Sequence, residues 1–196
     1  MPFHHFPAHF VYWTQIPEHK EIRKTYLPKI LDLKETIDGN TPFKACKLGT
    51  SLGINVNDFL YDSTLVENLV LNQVKMDIEE IKIVSAWFNT YEEGDFQELH
   101  EHNAYPYENV FHPCFSLVYI LNNPGETNDT VYRLKNQPFL PLHTVCEFDT
   151  SQEKSITEGT LIITSSSLPH LVKPCSKSGR VTIAYNVFAN FRDLKK

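Results

Sequence analysis

Apolar positions along this 196-residue chain fall into two regimes. Up to about residue 80 they recur at helical spacing. Beyond it they come in short runs or strict alternation, separated by turn residues. Residues 8–16, rich in aromatic and β-branched side chains, predict a first strand. Pro17 then stands at the first position of a helix over residues 18–36, with Ile22, Tyr26, Ile30 and Leu31 as its apolar stripe. Pro28 is expected to kink that helix or split it. Residues 38–57 carry turn formers throughout and read as loop. Thr64 with Glu67 makes a capping-box pattern for a second helix, striped by Leu65, Leu69, Val70 and Val74 and ending near Glu80.

From residue 81 the period changes. Strands are predicted over residues 81–89 and, after the Gly94-Asp95 turn, over 96–103. An aromatic loop follows over 103–113, read as a lid or a substrate-binding element. Residues 115–121 are almost continuously hydrophobic, the pattern of a strand buried on both faces. Further strands are expected at 130–134, 159–164 and 168–172, with an irregular stretch over 135–153. The segment 180–188 alternates most cleanly of all. Many short strands between turn signals imply a mainly β protein, a β-sandwich or jelly-roll barrel with N-terminal supporting helices. The length suits a single domain over 1–196: a helix-containing buttress to residue 80 and a β core over 81–190.

Composition narrows the function classes. Hydrophobic content of 41% and charge of 21% are ordinary for a soluble globular protein. Thirteen Phe, nine Tyr and twelve Pro against seven Gly fit a β-rich core with stiff loops. A net charge of −6 argues against nucleic acid or an anionic membrane as a partner. No apolar run approaches a membrane span, and the first residues lack the basic start and apolar stretch of a signal peptide. A cytoplasmic protein with reduced thiols is expected. The four cysteines form no CxxC pair, against a zinc ribbon or a redox motif.

Candidate chemistry lies in the second half. In the strand containing Glu98-Leu99-His100-Glu101-His102, alternation turns His100 and His102 to one face, with Cα atoms roughly 6–7 Å apart. Two imidazoles so placed can converge on one ion. His170 supplies a distant third, and Arg180 follows across a turn, where antiparallel pairing could bring both into one interior. A guanidinium there needs an anion, and its planar fork suits a carboxylate. Glu98 is placed by the same alternation on the histidine face, so either His102 or Glu98 could be the second ligand. Glu101 points away. Nine histidines in 196 residues make a chance HxH ordinary, and His4, His5, His9 and His19 read as exposed polar residues, His112 and His143 as non-ligands.

Trp87-Phe88-Asn89, Gly94-Asp95, His100-x-His102, the strand Ser116-Leu117-Val118-Tyr119-Ile120, and Pro169-His170 with Arg180 together resemble the 2-oxoglutarate and Fe(II)-dependent oxygenases, nearest to a branch found among marine bacteria and phages. The resemblance covers about residues 81–190. It implies a double-stranded β-helix, a cupin-like barrel with Fe(II) and 2-oxoglutarate inside its mouth. It implies His100, His102 and His170 as metal ligands and Arg180 as the partner of the cosubstrate's far carboxylate. Tyr119 and Thr182 are candidate hydroxyl partners of the same cosubstrate. The family's usual second ligand is a carboxylate, where this chain has His102; three imidazoles leave the full 2+ charge on the ion and also suit Zn, Cu or Ni. Three readings follow: a hydroxylating dioxygenase using 2-oxoglutarate and O2, a cupin-like metal-dependent dioxygenase without 2-oxoglutarate (thiol dioxygenase-like), and a non-catalytic jelly-roll module.

Overall fold

In the computed structural model of the protein, residues 9–35, 46–74, 78–102, 114–125, 129–134 and 146–191 are described. Strand β1 (Val11–Gln15) leads into α1 (His19–Lys34), β2 (Gly49–Thr50) and the short α2 (Ser63–Val66), which continues as a π-helical turn over Glu67–Leu71. The remaining strands are β3 (Ile78–Tyr91), β4 (Gln97–His100), β5 (Phe115–Asn122), β6 (Thr130–Leu134), β7 (Cys146–Asp149), β8 (Thr160–Ser165), β9 (His170–Val172) and β10 (Arg180–Phe191). They form a six-stranded sheet of order β1-β8-β5-β10-β3-β2 and a four-stranded sheet of order β4-β9-β6-β7. The pairings are antiparallel. From β3 onward the chain passes back and forth between the two sheets, which makes a jelly roll.

The large sheet is covered on both faces, and this explains β10. Val181, Ile183, Tyr185 and Val187 join Ile22, Tyr26 and Ile30 of α1 and Leu65, Leu69 and Val70 in the main hydrophobic core. The alternate positions Arg180, Thr182 and Asn186 are buried too. The polar half of the alternation therefore faces the space between the sheets, not solvent. Among the described residues, two smaller apolar clusters, one including Ile120, Ile162, Tyr132 and Leu168 and one including Leu48, Tyr91 and Val172, fill part of that space.

Several local expectations are corrected. Helix α1 runs unbroken through Pro28. The second helix is capped by Asp62, whose carboxylate accepts from the N–H of Thr64 and Leu65 (3.0 and 3.3 Å) and from the Tyr26 hydroxyl (2.7 Å), so the Thr64/Glu67 pattern is not the cap. It gives way to strand sooner than expected, since β3 already includes Ile78 and Glu80. The 38–57 segment is not all loop: Gly49 and Thr50 pair with Thr90 and Asn89, and a Cβ at Gly49 would collide with the Thr90 hydroxyl. Part of the stretch taken as irregular forms β7, paired with β6. His9 is half-buried, with Nδ1 2.9 Å from Ser165 Oγ. His19 is no exposed residue either: Nδ1 lies 2.7 Å from the Tyr119 hydroxyl and Nε2 3.2 Å from Glu158 Oε1. His4, His5, His112, His143 and the 103–113 loop lie outside the described residues.

Candidate metal centre

Three histidines meet between the sheets. His100 and His170 are direct cross-strand partners of β4 and β9. His102 follows β4 at once, its N–H donating to the Ser166 carbonyl (3.0 Å), which ties it to the chain just ahead of β9. The ring centroids lie 4.3 Å (His100–His170), 4.9 Å (His102–His170) and 5.5 Å (His100–His102) apart. One ring nitrogen from each lies within 4.8 Å of the others, the grouping a metal ion requires. His102 packs beside Trp87 and His170 beside Tyr132, with centroid distances of 5.3 and 5.5 Å.

Hydrogen bonding fixes which nitrogen of each ring could coordinate. His100 Nδ1 is 2.8 Å from the Glu98 carbonyl and His170 Nδ1 is 3.0 Å from the Leu168 carbonyl. A carbonyl only accepts, so each Nδ1 carries the proton and each lone pair is on Nε2. His102 Nδ1 lies 2.7 Å from Asn186 Oδ1 and 2.7 Å from Ser116 Oγ. Protonation is disfavoured at all three. Burial, then the neighbouring His100, pushes His102 down to about 4. Burial lowers His100 as well, and burial followed by the two neighbouring imidazoles holds His170 well below the usual range. Neutral imidazole is the form that binds metal.

Arg180 lines the same cavity and is only 2% exposed. Its Nη2 donates to Thr130 Oγ1 (3.0 Å), and its guanidinium carbon lies 5.0 Å from the Tyr91 ring centroid. Tyr91 in turn donates to Gln97 Oε1 (3.2 Å). Thr182 is on the cavity wall. Trp87 Nε1 and Asn89 Oδ1 are buried there without a hydrogen-bond partner among the described residues. Orphaned polar atoms in a cavity wall mark a place for a polar ligand.

Two sequence-based assignments fall differently. Tyr119 is on the opposite face of β5, within the core shared with α1, and its hydroxyl meets His19 rather than the cavity. Glu98 does not share the histidine face. Gln97 pairs with Val172 and His100 with His170, so two residues of β4 oppose one of β9. This bulge shifts the alternation: Gln97 enters the cavity, and Glu98 lines an outer groove with Leu171 and Lys173. Glu101 is exposed, as its alternation implies. Asn186, Ser116, Gln97, Thr130 and Tyr91 were not singled out from sequence. Asn186 was open to discovery, since it continues the Arg180–Thr182 alternation; Thr130 and Gln97 carry no comparable signal.

Two facing antiparallel sheets with a histidine cluster and a buried arginine between them make a jelly roll, a fold shared with solved 2-oxoglutarate and Fe(II)-dependent oxygenases. Among solved structures, the chain is similar to HygX from Streptomyces hygroscopicus with nickel and 2-oxoglutarate bound (TM-score 0.57, 12% identity, covering 92% of this chain and 83% of that one). It is also similar to a prolyl hydroxylase from Trichoplax adhaerens in complex with a hypoxia inducible factor oxygen degradation domain peptide fragment (TM-score 0.55, 14% identity, 91% and 83%). A third is a prolyl-4-hydroxylase from Pseudomonas putida (TM-score 0.51, 14% identity, 95% of each chain). At such identities the likeness is one of fold. No family profile and no curated protein sequence matches the chain. Among the described residues no helix is long and apolar enough to cross a membrane.

Proposed function

We propose that this protein is a mononuclear non-haem Fe(II) and 2-oxoglutarate-dependent dioxygenase, acting as a hydroxylase. The observation that carries the reading is the convergence of three imidazoles on one point, beside a buried guanidinium in the same cavity. His100, His102 and His170 would hold the ion through Nε2. The orphaned Trp87 and Asn89 atoms support a polar cosubstrate in the cavity. That HygX has been solved with iron, and with nickel and 2-oxoglutarate, supports the same cofactor set here. When bound, the metal supplies O2 activation, in which 2-oxoglutarate is decarboxylated to succinate and a substrate C–H is hydroxylated.

The chain's own contribution is placement. His100, His102 and His170 would hold the ion, which would take 2-oxoglutarate and O2 as its further ligands. Arg180, steadied by Thr130, would pair with the far carboxylate of 2-oxoglutarate, with Thr182 as a further hydroxyl partner. Residues 81–190 would supply the catalytic core, with α1 as its buttress and β1 and β2 as added strands of the large sheet, in one cytoplasmic domain.

A second reading has one observation in its favour, the imidazole where a carboxylate is usual. In it the barrel is a cupin-like dioxygenase without 2-oxoglutarate, and Arg180 binds the substrate's own carboxylate. The test is anaerobic loading with Fe(II), titration with 2-oxoglutarate, then admission of O2. Stoichiometric iron, a 2-oxoglutarate-dependent charge-transfer band and succinate are expected, with iron lost in His170→Ala. Iron without band or succinate supports the second reading; no stoichiometric metal removes both.

A further inference from the structure

The three imidazoles are oriented by two different devices. His100 and His170 each donate Nδ1–H to the carbonyl two residues earlier, at 2.8 and 3.0 Å. Side-chain substitution does not remove those acceptors. His102 is held through side chains alone: Asn186 Oδ1 and Ser116 Oγ, each 2.7 Å from its Nδ1. These come from different strands, yet Asn186 of β10 and Ser116 of β5 are direct cross-strand partners. Both are buried, at 3% and 2% exposure. Two strands thus present one adjacent pair of polar side chains to the far edge of a single imidazole.

We infer that Asn186 and Ser116 are positioning residues that set the tautomer of His102 and so make its Nε2 a metal ligand. The inference rests on the metal reading above. A neutral imidazole offers its lone pair from the nitrogen that lacks the proton. With its carboxamide oxygen toward Nδ1, Asn186 keeps the proton there and the lone pair on Nε2. Ser116 alone could not do so, because a hydroxyl accepts from Nδ1–H or donates to a bare Nδ1 with equal ease. Asn186 decides the tautomer, and Ser116 fixes the plane of the ring. His102 is accordingly the ligand whose donor atom depends on replaceable side chains, and it occupies the position where related oxygenases carry a carboxylate.

Co(II) is a suitable probe, since its ligand-field spectrum reports the donor set without turnover. Affinity is read by competition with a chelator, on full-length protein whose metal-free melting temperature is recorded alongside. Asn186→Ala is expected to weaken Co(II) about 10–100-fold and to change the spectrum, the scale found when a partner of a metal-bound histidine is removed. Asn186→Asp, which can only accept at that edge, is expected to bind at least as tightly as the parent with the parental spectrum. That rescue separates tautomer control from packing, because both variants disturb the same site. Should Asn186→Ala fail to fold, Asn186→Asp, close in volume, carries the test: a loss of tenfold or more overturns the inference. Unchanged Co(II) affinity and spectrum in Asn186→Ala overturns it while leaving the metal reading standing. A parent protein that binds no Co(II) removes the metal reading itself and this inference with it.

Discussion

Arg180 occupies a position where lysine is not an equivalent. It opens β10, is almost fully buried, and is held by the Thr130 hydroxyl on one side and the Tyr91 ring on the other. Guanidinium presents two parallel N–H donors to a carboxylate and stacks on an aromatic face, whereas an ammonium offers a rounder, more strongly hydrated charge. Replacing the fork by a point charge forfeits one charge-assisted hydrogen bond, worth about 1.5–3 kcal/mol. Arg180→Lys is therefore expected to raise the 2-oxoglutarate dissociation constant roughly 10–150-fold. Fe(II) affinity should stay unchanged, because the proposed metal ligands are the three imidazoles and not Arg180. Titration of the Fe(II) charge-transfer band measures both, and unaltered 2-oxoglutarate affinity in the lysine variant would remove Arg180 from cosubstrate binding.

Strands rather than helices decide what could be read in the sequence. The alternation of 180–188 reveals a strand and two faces, but not that both faces are buried. That depends on α1 covering the outer side, a tertiary fact. Strict alternation along β4 assumes one residue per residue of partner, and the strand departs from it. The extra residue between Gln97 and His100 leaves no mark in composition, so Glu98 moved out and Gln97 moved in. His100, His102 and His170 meet all the same, because the bulge lies before the first of them. Tyr119 failed for another reason: β5 is hydrophobic on both faces, and only its pairing with β10, with Ile183 opposite, assigns that residue to the helix side. There it does structural work with His19, which docks α1 onto β5. Its hydroxyl is fully buried against the histidine, whose other nitrogen meets Glu158. His19→Ala should cost about 1–3 kcal/mol, chiefly by leaving that hydroxyl unsatisfied. In a Tyr119→Phe background the same substitution should cost less, a coupling of roughly 0.5–3 kcal/mol by urea unfolding of the four proteins. Zero coupling would make the contact incidental.

At the scale of the whole molecule, the jelly roll holds three imidazoles between its sheets, His102 and His170 buried and His100 half-buried, and this links the stability of the metal-free protein to pH. Above about pH 7 the three histidines are neutral whether the chain is folded or unfolded, so they contribute no pH dependence there. As pH falls through the ordinary histidine value of about 6.5, the unfolded chain takes up protons. The folded chain does not, since burial holds His100 and His170 low and His102 at about 4. Unfolding then binds protons, so stability falls with falling pH, and for His102 it continues to fall until the folded ring itself protonates near 4. Each such histidine removes up to roughly 1.4 kcal/mol per pH unit inside its window. For His102, acidification from pH 7.5 to 5 corresponds to a loss of roughly 2 kcal/mol. Carboxylates with lowered values, such as Asp62 and Asp149, shed their contribution only in more acid solution, so the interval from pH 7.5 to 5 isolates the histidines. Urea unfolding of the metal-free protein across that interval should show a steady decline, and His102→Asn, which cannot take up a proton, should flatten it by one histidine's share. A slope identical in parent and variant would mean that His102 is protonated as readily in the folded chain as in the unfolded one, so that burial does not hold it neutral.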